Sequence, residues 1–385
     1  GQTVPTVRFD HIEELAPGQG RIEISGKLLG VRRDLNSTTT VGPNATPYSF
    51  GAAGNKQHAS FQAGWQNQYI GAGGFVFTPY LGGRADAAYY DGTSPAAAGV
   101  TSLFNATPIA AMDVRFPMVA SDGQTVHLVE PIAQLVYRGS DRTAVGITND
   151  DAQSFVFDDT NLFSYNRFSG SDRQETGLRA NVGARYQVNF TGDSYLELIA
   201  GQSFQLAGPN GFAAADPAQT AVGGGLDSKA SYTVLGAYGM FMEPGIKLGG
   251  KLQIDTAQPR VARAGLGVGF AKDGYSASVD YTYLAANPAA GVVNNQHEIG
   301  GAVGVPLADY WTISAVGYWD LQANSLASIG GGIQYDDGYL LIGGTASRSG
   351  PTHTSPNATT VTASFAIKAP AGLNMGLSPD VTFTW

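Results

Sequence analysis

The chain has 385 residues, with 52 glycines, 18 tyrosines and 18 phenylalanines, but only 14% charged residues and a net charge of -9. Soluble domains carry about 25% charged residues, an acidic balance does not suit nucleic acid, and the absence of cysteine excludes disulfides and thiolate metal sites. No run approaches the roughly 18 apolar residues of a spanning helix, whereas glycine and aromatic rings with little charge suit a transmembrane β-barrel, in which only alternate residues face lipid.

Along the chain, period-2 patterning begins near "VRFDHI" and "RIEISGKLLGV" and recurs to the end. Gly1 and the polar residues after it do not read as a signal peptide, as expected of a mature or trimmed exported chain. "FTPYLGGRADAAYY", "DVRFPMV" and "HLVEPIAQLVYR" precede a long segment, 139–175, dense in charge and rings. In "LRANVGARYQV" the set Leu178, Ala180, Val182, Ala184, Tyr186 and Val188 alternates with Arg179, Asn181, Gly183, Arg185 and Gln187. "IKLGGKLQI" sets Ile246, Leu248, Leu252 and Ile254 against Lys247, Lys251 and Gln253, and "YSASVDYTY" repeats the pattern. In "LASIGGGIQYD" the outer set is Ala327, Ile329, Ile333 and Tyr335, and in "TVTASFAIKA" it is Val361, Ala363, Phe365 and Ile367. Side chains in a strand point alternately to opposite faces, so each segment has one oily and one polar face.

The segments run about 9–13 residues, suiting tilted spanning strands. Tight turns such as "MEPGI", "AKDGY", "PLADYW" and "DDGYL" alternate with longer polar connections, the layout of outer-membrane barrels, with short turns on the periplasmic rim. About seventeen or eighteen strands are readable, and "VTFTW" is either one more strand or a tail. Tyr89, Tyr90, Tyr310, Trp311, Tyr318 and Trp319 fall at strand ends, as interfacial girdles do. Pro131 and Pro306 mark weak pairing or bulges.

The 139–175 segment is too long for an idle loop, and its rings require burial. It is expected to fold into or over the lumen, with Arg167 and Arg173 paired to Asp158, Asp159 or Asp172. Those three aspartates could instead form a catalytic or calcium cluster. Their spacing is not that of an EF-hand, so charge-assisted fixing of the loop is the favoured reading. The five histidines lack ligand spacing, and neither a nucleophile elbow nor a P-loop occurs. No cofactor is expected. Arg179, Arg185, Lys247, Lys251 and Lys368 lie on polar faces, where they suit either an anion-attracting lumen or a generic hydrated one.

"HLVEPIAQLVYR" followed by "NDDAQSFVFDDTNLFSYNRFSGSDRQETGLRANVGARYQV" resembles the LPS-assembly protein LptD family (OstA/Imp). The resemblance is specific over about 65 residues and extends more loosely over most of the chain. It implies a non-enzymatic outer-membrane translocon of Gram-negative bacteria that inserts lipopolysaccharide into the outer leaflet. The implied barrel has twenty-six strands in the family, closes weakly between its first and last strands, and holds an LptE-like lipoprotein plug. A preceding periplasmic jelly roll receives lipopolysaccharide from bridge proteins. Residues 1–385 would then be the C-terminal portion of the barrel, without the jelly roll and roughly nine early strands. Asp158, Asp159, Asn161, Phe163, Asn166, Arg167, Phe168, Gly170, Asp172 and Arg173 would be the structural loop. Arg179, Arg185, Lys247 and Lys251 would line the substrate path, and Thr362, Ser364 and Lys368 would lie on the gate strand. Redox-controlled assembly through disulfides does not carry over to a chain without cysteine. The alternative is a diffusion porin or other outer-membrane channel; a rim-active hydrolase would need a converging Ser/His or Asp/His pair.

Overall fold

A computed structural model of the chain describes residues 2–35, 37–41, 46–51, 53–91, 101–139, 147–152, 156–213, 224–288, 292–350, 357–367 and 381–384. β1 (Gln2–Glu14) and β2 (Arg21–Arg33) form the first hairpin. β3 (Ser37–Val41) and β4 (Thr46–Gly51) make a separate small hairpin. β5 (Gly54–Gln66) returns beside β2, and its extension β6 (Tyr69–Ile70) pairs with the start of β7 (Val76–Asp91). β8 (Ser102–Arg115) and the short β9 (Met118–Ser121) share one partner, β10 (Val126–Arg138). Beyond that, sequence neighbours are neighbours in space: β11 (Gly177–Asn189), β12 (Tyr195–Ala207), β13 (Thr233–Phe241), β14 (Ile246–Asp255), β15 (Arg260–Lys272) and β16 (Tyr275–Leu284). The series continues through β17 (Gln296–Ala308), β18 (Trp311–Asp320), β19 (Ser325–Asp336), β20 (Leu340–Ser349), β21 (Ala358–Ile367) and β22 (Val381–Thr384).

Every pairing is antiparallel, and all strands except β3 and β4 belong to one 20-stranded sheet. With β6 and β9 taken as continuations of β5 and β8, seventeen long strands and the four-residue β22 remain. "VTFTW" therefore contributes a strand. Among the described residues no pairing joins β1 to β22.

The alternation follows the predicted faces. In β10, Glu130, Ile132, Gln134, Val136 and Arg138 are buried while the residues between them are exposed. Leu81, Phe104, Leu135, Val182, Leu266, Val279, Val303 and Ile329 form an exposed apolar face. So large an apolar surface requires a lipid partner, and the fold is a transmembrane antiparallel β-barrel of the outer-membrane type. The tight turns use the expected residues. Asp273 (φ 53°) and Gly274 (φ 82°) link Lys272 to Tyr275, the doubly positive φ of a two-residue Asp-Gly hairpin.

Three local readings change. Ala327 does not join the outer set, because Tyr318 pairs with Ser328 and Trp319 with Leu326. The extra residue is a bulge, which turns Ala327 inward (7% exposed) and Leu326 outward. Tyr89 is exposed at the rim, but Tyr90 is buried, bonded to Thr148 of the long loop rather than set in a girdle. Pro131 sits where the partner of β10 changes from β9 to β8, and Pro306 flanks a register shift in β17.

Candidate functional site

The site is the connection between β10 and β11, of which Ile147–Ala152 and Val156–Thr176 are described. Its ion pairs reach from Lys27 on β2 to Lys251 on β14. Eight strand spacings separate β2 from β14; in a flat sheet they would span about 38 Å. The contacts are made by Asp151 and Asp158, seven residues apart, which cover at most about 25 Å fully extended. The loop lies against the polar inner face, where one short stretch of it bridges strands distant in the sheet order.

Three apolar seats hold it. Ala152, Phe157, Leu162 and Phe168 pack with Phe212, Leu226 and Val234, and Phe163 lies against them. Tyr165 packs on Tyr80, Ile109, Ala111 and Val136. Ile147 packs on Ala88 and Tyr90. Fully burying a side chain such as Leu162 or Phe157 contributes about 1.5–3 kcal/mol, which offsets part of the entropy cost of ordering the connection.

Ionic bonds then fix the register. Asp172 is wholly buried: Oδ1 accepts from His58 Nδ1 (2.7 Å) and Lys56 Nζ (2.8 Å), and Oδ2 accepts from the backbone N–H of Asp150 (2.7 Å) and Asp151 (3.2 Å). His58 Nε2 meets Asp86 Oδ1 at 3.0 Å. Both ring nitrogens thus face carboxylate oxygens, which only accept, so the geometry suits an imidazolium. Arg84 grips Asp86 and donates to the Ser171 carbonyl. Asp151 takes Lys27 Nζ (2.6 Å) and the N–H groups of Ser171 and Asp172. Asp150 takes Lys56 Nζ (2.7 Å) and Arg33. Burial opposes the charge on Asp172, but the His58 bond and Lys56 outweigh it and hold the carboxyl well below its usual range.

The second centre is Arg167. It donates to the carbonyls of Asn161 (3.1 Å) and Leu162 (2.7 Å), to Asn181 Oδ1 (2.6 Å) and to Glu175 Oε2 (3.3 Å), with its guanidinium 5.3 Å from the Phe157 ring. Burial pushes it down to about 10, while Glu175 pulls it up and Arg179 pushes it down further. Arg179 pairs with Glu175 and donates to the carbonyls of Ser164 and Tyr165. Arg173 donates to the carbonyls of Ile147 and Asp172. The expected pairing of Arg167 with an aspartate is thus replaced by Glu175, and the aspartates turn to the wall. Asp158 takes Lys251 Nζ (2.7 Å) and Asp159 takes Tyr238 Oη (2.6 Å). Asn161 ties Asp158 N–H to the Val156 carbonyl, Asn166 accepts from Glu175 N–H, and the Phe163 carbonyl accepts from Gln134.

Two glycines permit the close fit. A Cβ on Gly236 would collide with the Asp159 carboxylate, and one on Gly170 with the Asp151 backbone.

The expected path residues separate. Arg179 is on the inner face but covered by the loop (3% exposed). Arg185, Lys247 and Lys251 are partly or well exposed there. Thr362 and Ser364 are on β21, and Thr362 pairs with Thr382 of β22, so β21 has a further strand on that side. Lys368 lies outside the described residues. Sequence reading missed Lys27, Lys56, His58, Arg84, Asp86, Asp150 and Asp151. The available signal was Lys56/His58 and Arg84/Asp86, titratable pairs two apart and therefore on one strand face. Among the described residues no group of three His, Asp or Glu side chains could hold a metal ion.

No curated protein matches the chain. Among solved structures it is similar to BauA, the ferric preacinetobactin receptor of Acinetobacter baumannii, at 10% identity and a TM-score of 0.45, covering 94% of this chain and 65% of the receptor. It is similar to the FrpB iron transporter of Neisseria meningitidis (10% identity, TM-score 0.42, 94% and 65%). It is also similar to a mutant of the Rh. blastica porin (13%, TM-score 0.30, 94% and 100%). The chain thus spans just under two thirds of the length of the receptors. The profile described as "LptD: LPS transport system D" matches residues 2–311, which include β1 to β17, the "HLVEPIAQLVYR" strand and the whole clasped loop, and the chain belongs to that family.

Proposed function

We propose that this chain forms the wall and internal loop of an outer-membrane translocon that passes lipopolysaccharide to the outer leaflet of a Gram-negative bacterium. The saccharide would travel along the polar inner face while the acyl chains leave sideways at a poorly paired strand junction. The observation that carries this reading is the partial filling of the inner face. The described bonds of the loop run from β2 to β14, while the inner face of β15–β21 carries small residues such as Gly265, Gly267, Ala302, Gly332 and Thr345 together with Asp280, Glu298 and Tyr318. That hydrated polar surface suits a bulky polar cargo, or a lipoprotein plug of the LptE kind, better than the constriction of a diffusion pore. The sequence carries no P-loop, so energy would arrive through periplasmic bridge proteins and a jelly-roll domain. The long loop would face the exterior and the tight turns the periplasm.

Photo-crosslinking probes at Arg185, Lys247 and Lys251, blotted for lipopolysaccharide, test this. Adducts that disappear when the transport ATPase is depleted are the expected result. Absence of adducts together with leakage of small solutes through the purified barrel would replace the translocon with a porin.

A further inference from the structure

The outer, lipid-facing wall of β1–β8 carries an almost wholly apolar groove of about 330 Å³, lined by Phe9, Leu28, Ala59, Phe61, Ala87 and Phe104 among others. Register explains it. Outward side chains of paired strands lie in rows across the sheet. One row reads Phe9, Gly26, Phe61 and Ala85, and the next reads Leu28, Ala59, Ala87 and Phe104. Ala59, Ala85 and Ala87 form the floor. Leu28 stands on one side, Phe104 on the other and Phe61 at the end away from the long loop. Phe9 leaves the floor free, because its ring lies across Gly26, where a Cβ would collide with it, and faces Phe61 at 6.4 Å between centroids. Large exposed side chains thus surround small ones.

The height of the groove follows from the same register. Toward the long-loop rim the next row is Gly30, Gln57 and Tyr89, and the one after it Arg32, Asn55 and Asp91. The groove therefore occupies the two apolar rows directly beneath the first polar ones. An exposed tyrosine in the dividing row marks the level where hydrocarbon meets headgroups.

That position decides the occupant. Apolar recesses stay dry and take apolar guests, and walls without a neighbour forfeit their dispersion contacts. The neighbour at this height is lipid hydrocarbon. A convex wall touches a lipid chain along one side, whereas this groove touches it from the floor and both flanks. Its volume holds about eleven groups of methylene or water size, at about 30 Å³ each.

We infer that this groove is a binding site for one acyl chain of a lipid in the leaflet on the long-loop side, with the headgroup at the level of Gln57 and Tyr89. The lipid is a resident of the outer wall, separate from any cargo on the inner face. The inference rests on the lipid-facing wall and not on the transport reading.

The test uses the full chain in dimyristoyl phosphatidylcholine vesicles doped with a phosphatidylcholine that carries a diazirine on one acyl chain. After illumination, adducts are mapped by peptide mass spectrometry. Adducts at Ala59, Phe61, Ala85 and Ala87 are expected several-fold above those at Val279 and Val303, lipid-facing residues of β16 and β17. Ala59→Leu/Ala87→Leu fills the floor and should bring the groove down to the level of β16 and β17. Phe104→Ala removes a wall that is 71% exposed and should lower groove adducts as well; it carries the test if the leucine pair does not fold. Ala277→Leu, outward on β16 beside Val303, should change nothing. Uniform labelling of the wall, or groove adducts unchanged in both groove variants, would overturn the assignment. Cross-links between two copies of the chain at the groove, in place of lipid adducts, would replace the lipid with a second barrel.

Discussion

Strands β1–β14 and strands β15–β21 share one pattern of alternation, yet their inner faces differ in kind. In the first set, Lys56, His58, Arg84, Asp86 and Arg179 are buried under the loop with the partners given above, and Arg138 donates to Gln174 Oε1 at 2.6 Å. In the second, the inner face sets small residues such as Gly265, Gly267, Gly300, Gly304 and Gly332 beside Asp280, Glu298 and Tyr318, none of them buried except Gly300 and Gly304. One half of the wall is a socket for its own chain; the other keeps its polar side chains at least partly exposed. Charged residues on an inner face therefore do not by themselves mark a solute path. Where the chain folds back over them they are structural, and the path is argued from the partly exposed Arg185, Lys247 and Lys251.

Breaking the clasp should collapse this contrast most. Asp172→Ala removes the acceptor for His58, Lys56 and two backbone N–H groups and leaves buried cations uncompensated. Loss of a buried partner costs about 3–5 kcal/mol. Hydrogen exchange should show the loop opening while β15–β21 keep their protection, and single-channel conductance should rise. An unchanged conductance would mean that another element blocks the lumen.

Glycine substitutions come next. Gly236→Val drives a side chain into Asp159 and should cost about 1–3 kcal/mol of overpacking. Gly265→Ala, on β15, meets nothing within 4 Å and should shift stability by less than about 0.5 kcal/mol. Thermal melts of the two variants measure the difference between the halves directly.

Acid sharpens the comparison in a third way. Asp158 is held below its usual range, burial opposing and the Lys251 bond prevailing, and Asp172 lies well below for the reasons given above. A depressed carboxyl stabilises the folded form above its unfolded value, near pH 3.9, and that contribution fades as pH falls through the folded values. Proteolysis of the loop should therefore be unchanged from pH 7 to 5 and accelerate toward pH 3, with strands β15–β21 resisting cleavage longer than the loop. The smallest effect belongs to Lys251→Gln. This partly exposed pair contributes about 0.2–1 kcal/mol and is screened by salt, so the variant should match wild type above about 0.5 M salt in the same proteolysis assay.

Much of this was legible in advance. Period 2 fixed which residues of "LRANVGARYQV" face inward, and Asp-Gly fixed the turn at Asp273. The apolar side chains of Phe157, Leu162 and Phe168 required that the loop be buried. What failed did so for identifiable reasons. The bulge at Ala327 shifts parity by one residue, which no composition signals. Arg167 was matched to aspartates because they are near in sequence, whereas its partner depends on how the loop folds back to bring Glu175 alongside. Lys56 and His58 passed unnoticed because two titratable residues on a strand look the same whether they face water or a carboxylate.

By itself, then, the sequence determined the class of the molecule: alternation and turn chemistry are local, so they survive without coordinates. The family likewise follows from a linear motif. Which basic residue meets which acid, and which part of the inner face the loop covers, depend on how the loop lies against the wall, through contacts between residues as distant as Lys27 and Asp151. Those contacts exist only once the loop has folded back onto the sheet, and for that reason the tertiary structure alone decided them.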